Sequence, residues 1–394
     1  MRGGAVKAFS LSEDQIARVV GAAAADELSR RFNRHADFLT IASWTQNTPL
    51  GRGGLSLDEE EKIACARRAA TLFGLEADYL AERPAEKIAD WAHDLAAALS
   101  AGLTSFSFKP AARNDEDAAY THQADAIYQD AAAAANVLYG RRRLLSFVAP
   151  HSLLGLELSV LTPNLLGIEA VDARGMTPDE LSKNLLFGDV LVATPTLWRY
   201  MMQEELQAPD NSLAVSFGEP MTPELAVDMR KSGFGVLREL YGSTETGLMA
   251  WRDNPGEAFV LFDHWRREGD GLMRLCPDGE ARQVEAMDLM AWTGERSFTL
   301  SGRRDGAVQI GAVNVFPEAV AETLRAHPHI KDCRIVVGRR GDGAARLIAN
   351  IILADKTLPN ERTARDIDVW CRVNLRQQER PQIYNFEMET GAPA

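Results

Sequence analysis

From about residue 143 the chain alternates short apolar runs with helical stretches, and this alternation limits its fold more than any other feature. The runs "LLSFVAP", "GIEAVD", "DVLVATP" and "LAVSFG" are each long enough for one buried strand. Between them, "TPDELSKNLL" begins with Thr177, Pro178 and Glu180, a pattern typical of a helix start. Strands that alternate with helices predict an α/β fold with a mainly parallel sheet.

The first hundred residues predict helices. Ser12 and Gln15 form a capping-box pattern ahead of "IARVVGAAAADELSRRF", and Ser56 and Glu59 repeat the pattern ahead of "KIACARRAATLFGL". A third helix is predicted through "EKIADWAHDLAAALSAG". We therefore expect a helical leader over about residues 1–100.

A smaller unit follows the segment "SGRRDG". It combines a hairpin-like "AVQIGAVNVF", a helix from Pro317, the strands "CRIVVGRR" and "RLIANIIL", and a helix through "DIDVWCRVNL". A unit of this size is that of a small separate domain. The sequence thus predicts a large N-terminal α/β domain over residues 1–304 and a small α+β C-terminal domain over residues 305–394.

Composition excludes several classes of function. The net charge of −13 argues against nucleic acid as a main partner, because binding phosphates needs a basic surface. No apolar run reaches the roughly 20 residues of a membrane span, and the N-terminus lacks the apolar core of a signal peptide. We expect a cytoplasmic protein without a membrane partner, and a homodimer is left open. Its reduced packing thiols would be Cys65, Cys276, Cys333 and Cys371.

The heptapeptide "YGSTETG", residues 241–247, carries many groups that can meet a ligand. Its two glycines allow close approach of the backbone, and Ser243 and Thr244 offer hydroxyls to an anion. Glu245 has the oxygen ligands that a divalent cation prefers, and the ring of Tyr241 offers a face to a base or an aryl group. A polar turn that merely ends a strand remains the alternative.

The heptapeptide resembles the adenine- and phosphate-binding signature of the adenylate-forming superfamily, which includes acyl-CoA and aryl-CoA ligases. "SFGEPMTPELA", residues 216–226, resembles the segment that precedes this signature, and residues 147–172 resemble the family's substrate loop with the helix and strand that follow. Asp288 in "AMDLMAW" matches the ribose-binding aspartate, and residues 298–335 match the hinge and the start of the mobile C-terminal domain. These segments occur in the order that the family has.

The resemblance implies a role for each matching residue. Thr244 would donate to the α-phosphate of ATP and Glu245 would bind Mg²⁺, while His151 would orient the carboxylate of the substrate. Asp305 matches the hinge about which the small domain moves. The implied nucleotide-binding residues are Gly218, Glu219, Pro220, Tyr241, Gly242, Ser243, Thr244, Asp288 and Arg303. The implied substrate pocket consists of His151, Ser152, Trp198, Phe217 and Gly242.

Two of these residues have simpler interpretations. A partly buried, hydrogen-bonded structural histidine would also explain His151, and core packing would explain Trp198. The pair His327 and His329 has spacing found in metal sites, but two histidines without further ligands do not predict one.

The chain departs from the family in its phosphate loop. The family has a Gly/Ser/Thr-rich loop ending in Pro-Lys, whereas this chain has "TSFSFKPAARNDEDAAYTHQ". Phe106 and Phe108 replace the free backbone that a phosphate loop needs. The hydroxyls and the cation that remain are those of Thr104, Ser105, Ser107 and Lys109. A plain strand is an equally good interpretation of "LTSFSF".

Two lysines of the family also have no counterpart. Gln309 stands where a lysine usually follows the hinge, and no lysine follows Lys356 in this sequence. The loss of one charge-stabilising donor costs about 10²- to 10³-fold in rate, so the adenylation step is in question.

The resemblance extends to the short 4-coumarate–CoA ligases associated with photoactive yellow protein. It implies a ligase that uses ATP, Mg²⁺ and coenzyme A to convert 4-coumarate to its thioester. A ligase for another aryl or short acyl acid, delivering to CoA or to a carrier-protein thiol, is the first alternative. A degenerate homologue that binds a ligand or a protein without adenylating is the second.

Overall fold

The computed structural model describes residues 11–100, 102, 104–110, 119–269, 271–311, 313–341, 343–354 and 359–387. Four helices form the predicted leader, and the capping box of Ser12 and Gln15 is present at the first of them. The second capping box was placed two residues early, because Asp58 and Glu61 form it instead of Ser56 and Glu59. The leader helices are α1 (Glu13–Phe32), α2 (Phe38–Ser43), α3 (Glu59–Leu72) and α4 (Ile88–Ser100), with a 3₁₀ turn at Ala77–Tyr79.

The α/β alternation predicted after residue 143 is confirmed, and it is preceded by one pair of strands and a helix. A single turn of π-helix, Glu157–Leu161, separates α6 from α7. The elements are β1 (Ser105–Phe108), β2 (Tyr120–Gln123), α5 (Ala124–Val137), β3 (Arg143–Ser146), α6 (Leu153–Leu156), α7 (Thr162–Leu166), β4 (Glu169–Asp172), α8 (Pro178–Asn184), β5 (Asp189–Ala193), α9 (Pro195–Gln203), β6 (Ser212–Ser216), α10 (Pro223–Lys231), β7 (Phe234–Ser243), β8 (Gly247–Arg252) and β9 (Phe259–Leu261).

The strand-like pieces predicted after residue 254 are β10 (Trp265–Glu268), β11 (Gly271–Leu275), β12 (Ala281–Val284), β13 (Asp288–Trp292) and β14 (Ser297–Arg303). The C-terminal elements follow the predicted order, with one further strand at the end. They are β15 (Val308–Ile310), β16 (Val313–Val315), α11 (Pro317–Arg325), β17 (Ile330–Arg339), β18 (Ala345–Leu353), α12 (Glu361–Asn374), a 3₁₀ turn at Gln377–Glu379, and β19 (Ile383–Glu387).

The main sheet has nine strands in the order β13-β14-β9-β8-β7-β6-β5-β3-β4. The five strands from β7 to β4 pair in parallel, and the strands from β7 to β13 pair antiparallel. β5 and β6 are buried along their whole length because helices cover both of their faces. The α/β fold class predicted from the sequence is therefore confirmed.

Two apolar cores lie on opposite faces of the parallel strands. Leu144, Val190 and Val215 pack with the leader helices and α5, while their chain neighbours Leu145 and Leu191 pack with α8, α9 and α10. Successive strand residues point to opposite faces, which explains the division. A third core forms between the C-terminal strands and helices. Whether a domain boundary lies at 304/305 remains a prediction.

Candidate functional site

Three of the segments singled out in the sequence follow parallel strands. His151 comes shortly after β3, residues 217–220 follow β6, and the 241–247 segment ends β7. The carboxyl ends of parallel strands meet at one edge of a sheet, and open α/β sheets bind ligands at that edge. β6 and β7 are neighbours, so the two segments matched to the nucleotide signature lie side by side.

Tyr241 joins the two residues matched to ribose binding. Its hydroxyl donates to Oδ2 of Asp288 over 2.6 Å. Asp288 opens β13 and lies opposite Arg303 at the end of β14, with 3.7 Å between Oδ1 and Nη1. Arg303 also donates to both carboxylate oxygens of Asp305, over 3.0 and 2.7 Å. We call these four residues the tyrosine–aspartate cluster.

The surroundings of the cluster decide its charge. Burial raises the pKa of Asp288 above the ordinary value, while the hydrogen bond from Arg303 lowers the pKa of Asp305. Hydrogen bonding to Asp305 raises the pKa of Arg303, and Asp288 and Glu245 add to that effect. The ring of Tyr241 packs against Phe259 and Phe298, so its polar end alone takes part in the cluster. Burial and the Asp288 charge raise the pKa of its hydroxyl, which stays protonated.

The two glycines of the heptapeptide are required by close contacts. A Cβ on Gly242 would lie 2.4 Å from the carbonyl oxygen of Gly247 across the β7–β8 pair. Gly247 has φ +83°, and a Cβ there would lie 2.3 Å from Oδ2 of Asp130. Glycine is the residue that adopts such a conformation without steric cost. We call residues 243–248 the β7–β8 turn.

Three residues that the sequence analysis did not identify hold the backbone of this turn by hydrogen bonds. His122 donates from Nε2 to the carbonyl of Thr244 over 2.7 Å. Arg274 donates to the carbonyl of Thr246 over 3.3 Å, and Asp130 accepts from the amide of Leu248 over 3.0 Å. Asp130 lies on the buried face of α5, and a charged residue on such a face was the one signal available in the sequence.

Residues 217–220 are fixed by buried contacts. Phe217 belongs to the core on the leader side, and Gly218 has φ +87°. Glu219 is buried, accepts from Thr196 over 2.7 Å and lies 3.5 Å from a guanidinium nitrogen of Arg199. The carboxylate of Glu219 is therefore held by the protein, so a ligand would contact the backbone of residues 217–220 and not this carboxylate. Pro220 is exposed.

His151 and Ser152 contact the leader and the start of α6. Nε2 of His151 lies 3.8 Å from a carboxylate oxygen of Asp26 on α1, and its buried Nδ1 has no hydrogen-bond partner among the described residues. Burial lowers the pKa of His151 to about 4, so the imidazole is neutral at pH 7. Ser152 caps α6 by accepting from the amide of Gly155.

Trp198 lies in the core on the other face of the sheet. Its indole is fully buried, donates to the carbonyl of Val215 over 3.1 Å, and packs edge-on against Phe234. Trp198 thus packs in the core that α8, α9 and α10 form on that face. The core interpretation of this residue explains all of these contacts.

The segment that replaces the phosphate loop is a strand over residues 105–108, as one interpretation of "LTSFSF" held. β1 pairs with β2, and Phe106 and Phe108 are fully buried. Ser107 shares a hydrogen bond of 2.7 Å with Thr121, and Lys109 lies 3.2 Å from Glu27 on α1. Thr104 and Ser105 take part in the same pairing through their backbones. Lys356 lies outside the described residues.

Several known proteins are similar to this chain in sequence. A protein named 4-coumarate–CoA ligase from Halorhodospira halophila is 26% identical over 375 residues, which is 94% of this chain and 95% of that protein. A protein of the same name from Cereibacter sphaeroides is 29% identical over 297 residues, covering 73% of this chain and 71% of its own. No protein-family model matches the chain.

The similarity to these proteins supports the predicted resemblance to the adenylate-forming superfamily. The amide bond synthetase McbA of Marinactinospora thermotolerans shares the fold, with a TM-score of 0.57 and 16% identity over 95% of this chain and 90% of that one. Among the described residues no helix is both long and apolar enough to cross a bilayer. All four cysteines are free, as predicted.

The residues of this site fit a nucleotide and Mg²⁺ in one respect and not in another. In the described part of the chain no three His, Cys, Asp or Glu side chains could hold a metal together. Mg²⁺ is commonly bound by one or two carboxylates with phosphate oxygens and water, so Glu245 fits that role beside a nucleotide. Asp288 also lines a cavity of about 570 Å³, a size typical of ligand sites. Ser107 and Lys109, by contrast, already bond to Thr121 and Glu27.

Proposed function

We propose that the protein is an ATP-dependent acid–thiol ligase that converts 4-coumarate to its CoA thioester. In the first half-reaction the substrate carboxylate attacks the α-phosphate of ATP and pyrophosphate leaves. In the second, a thiolate attacks the acyl carbon and AMP leaves. The observation that carries the proposal is the tyrosine–aspartate cluster beside the β7–β8 turn, at the ligand edge of an adenylate-forming fold. The names of the relatives support the substrate.

Each residue of the site has a part in this proposal. Asp288 accepts from the ribose hydroxyls, and Arg303 orients Asp288 and reaches the same sugar. The hydroxyl of Thr244 would donate to the α-phosphate, and Glu245 would hold Mg²⁺, which when bound would supply positive charge to the phosphates. The neutral imidazole of His151 orients the carboxylate of the acid substrate. Asp305 follows β14, where a hinge between the two half-reactions is proposed.

One observation favours a second candidate, a homologue that binds nucleotide without adenylating. Ser107 and Lys109 are engaged with Thr121 and Glu27, so these two side chains are not free to donate to a phosphate. A site with fewer donors stabilises the charge of the transition state less. The cytoplasmic location, the homodimer and the choice between CoA and a carrier protein stay predictions.

Exchange of labelled pyrophosphate into ATP tests the first half-reaction, with 4-coumarate, benzoate and a fatty acid as substrates. The proposal predicts Mg²⁺-dependent exchange with 4-coumarate, and thioester formation when CoA is added. Exchange with another acid alone would transfer the proposal to that acid. ATP binding without exchange for any acid would favour the second candidate, and the absence of both would overturn the ligase proposal.

A further inference from the structure

The β7–β8 turn rests on a buried group of charged residues that no family signature identified. Asp130 on α5 meets His264, ahead of β10, and Arg274, on β11, which lie 134 and 144 positions later in the chain. Asp130 is 0% exposed and the other two are buried. Burying charges is costly unless they are paired and hydrogen-bonded, so such a group needs an explanation.

Asp130 uses both carboxylate oxygens. Oδ1 accepts from Arg274 over 2.7 Å and from Nε2 of His264 over 2.8 Å. Oδ2 accepts from Arg274 over 3.3 Å and from the amide of Leu248 over 3.0 Å. The ion pair is therefore bidentate, and one of its remaining bonds is made to the backbone of the turn.

Further side-chain bonds from around this group also end on the turn. Arg274 donates to the carbonyl of Thr246, and the indole of Trp265 donates to the carbonyl of Leu248 over 2.9 Å. His122 takes the carbonyl of Thr244. Three alternate positions, residues 244, 246 and 248, thus have backbone groups held by side chains from β2, α5, β10 and β11. Thr244 is one of these held positions, and Glu245 lies between two of them.

A second buried carboxyl lies beside this group. Glu157, on the π-helical turn, is 0% exposed. Burial, and then the charge of Asp130, raise its pKa well above the ordinary value. With Glu157 neutral, the carboxylate of Asp130 balances the charge of Arg274 where the pair supports the turn.

We propose that Asp130 and Arg274 are positioning residues, which fix the backbone of residues 244–248 so that Thr244 and Glu245 face the nucleotide phosphates and their divalent cation. The proposal rests on the proposed function for the identity of the ligand. Its structural part, the rigidity of the turn, does not depend on that identity.

The matched control is a second buried Asp–Arg pair outside the turn. Asp189 is 1% exposed, accepts from Arg143 over 3.3 and 2.7 Å, and accepts from the amide of Leu186 over 2.8 Å. Asp189 begins β5, at the end of the parallel strands away from the ligand edge. Asp130→Asn and Asp189→Asn thus remove the same chemistry from the turn and from a distant place.

Amide hydrogen exchange of the full-length chain, followed by mass spectrometry, decides the structural part. We expect peptides covering residues 243–252 to exchange about tenfold faster in Asp130→Asn than in wild type, and at the wild-type rate in Asp189→Asn. Arg274→Lys keeps the charge but loses the planar fork, and its exchange should lie between the two. It also provides the test if Asp130→Asn fails to fold. Unchanged exchange over 243–252 in the turn variants would overturn the proposal.

Kinetics test the ligand part. In pyrophosphate exchange, Asp130→Asn should raise the half-saturating Mg²⁺ concentration about tenfold and lower kcat about tenfold, a loss of about 1.4 kcal/mol for each. Asp189→Asn should leave both within about twofold while lowering the unfolding midpoint. Equal kinetic effects in the two variants would contradict positioning. A wild-type protein without exchange would overturn the proposed function, and hydrogen exchange would still decide the rigidity of the turn.

Discussion

The β7–β8 turn and the β1–β2 pair are adjacent, but they use their polar residues in opposite ways. In the turn, side chains from four other elements hold the backbone, and Thr244 and Glu245 are left for a ligand. Ser107 on β1 and Lys109 just after it instead contact Thr121 and Glu27 within the protein. His122 links the two regions, since it lies on β2 and binds the carbonyl of Thr244.

The contrast separates a region proposed to bind the nucleotide from a region whose aromatic side chains are part of the core. Phe106 and Phe108 stack 6.1 Å apart between centroids, and Phe106 packs on Phe73 of the leader. Two buried aromatic side chains stabilise the junction between leader and sheet by several kcal/mol. We therefore expect catalytic activity to depend on the β7–β8 turn and the free energy of unfolding to depend on the β1–β2 pair.

Glu245→Gln should give the largest effect. The variant keeps the shape of the side chain but loses the charge proposed to bind Mg²⁺, so pyrophosphate exchange should fall about 10²- to 10³-fold. Steady-state exchange kinetics at varied Mg²⁺ would measure the loss. Glu59→Gln, in the exposed first turn of α3, should exchange at the wild-type rate. A Glu245→Gln variant within threefold of wild type would remove Glu245 from the site.

Gly247→Ala should be the most destabilising change in the turn. The new Cβ would meet both Asp130 and Arg274 at a residue with φ +83°, so we expect a loss of about 2–4 kcal/mol in the free energy of unfolding. Gly53 has φ +84° and open space around it, so Gly53→Ala isolates the conformational cost of about 1 kcal/mol. Denaturant unfolding of both variants measures the difference. Equal losses would show that no contact restricts Gly247.

His151, next to the leader, makes the free energy of unfolding depend on pH below neutrality. Its pKa falls from 6.5 to about 4 on folding, because burial disfavours the charged imidazole. The contribution of His151 to the free energy of unfolding is therefore complete above pH 6.5. It is lost as the pH falls towards about 4, and the loss is up to about 3 kcal/mol. Unfolding free energies measured between pH 7 and 4 should show a flatter profile for His151→Asn. His93→Asn, at an exposed position, should keep the wild-type profile, and a wild-type slope in His151→Asn would contradict the assignment.

Glu157, beneath the turn, should act in the opposite direction. Its pKa is raised on folding, so its contribution is complete below the ordinary value of 4.5 and declines as the pH rises above it. Glu157→Gln removes the ionisation and should flatten the profile on the alkaline side. Measuring unfolding free energies between pH 5 and 9 tests this sign. A variant that loses stability more steeply than wild type as the pH rises would show that Glu157 is ionised in the folded protein.

Ser107→Ala should have the smallest effect on catalysis. Since its hydroxyl bonds to Thr121, pyrophosphate exchange should stay within about twofold and the unfolding free energy should fall by about 1 kcal/mol. Thr244→Val is the counterpart in the turn and should lower exchange by at least tenfold. Similar losses in both variants would erase the contrast between the two regions.

Local patterns in the sequence were enough for the fold. The alternation after residue 143 predicted the parallel sheet, and the hairpin, helix and strands after residue 305 appear in the predicted order. Cap positions were less certain, because Ser56 and Asp58 both satisfy the pattern and φ +53° at Ser56 places it outside the helix. The short strand β19 carried too little periodicity to be predicted.

The site was predictable only where a contiguous segment carried it. Tyr241, Asp288 and Arg303 lie in recognisable motifs, and the sheet brings them together through β7, β13 and β14. Asp130 and Arg274 lie in an alanine-rich helix and an ordinary strand, far from the turn in sequence. Hydrogen bonds from side chains to a backbone produce no recognisable spacing of residues in the sequence. The role of these two residues is therefore seen from their contacts in the folded structure.

The most direct test of the account is a crystal structure with Mg²⁺ and α,β-methylene-ATP, an analogue that cannot release pyrophosphate. We predict the ribose hydroxyls within hydrogen-bond distance of Asp288 and Arg303 and the cation on Glu245, with Ser107 and Lys109 still bound to Thr121 and Glu27. A nucleotide bound elsewhere, or phosphates held by Ser107 and Lys109 in place of the turn, would contradict the account.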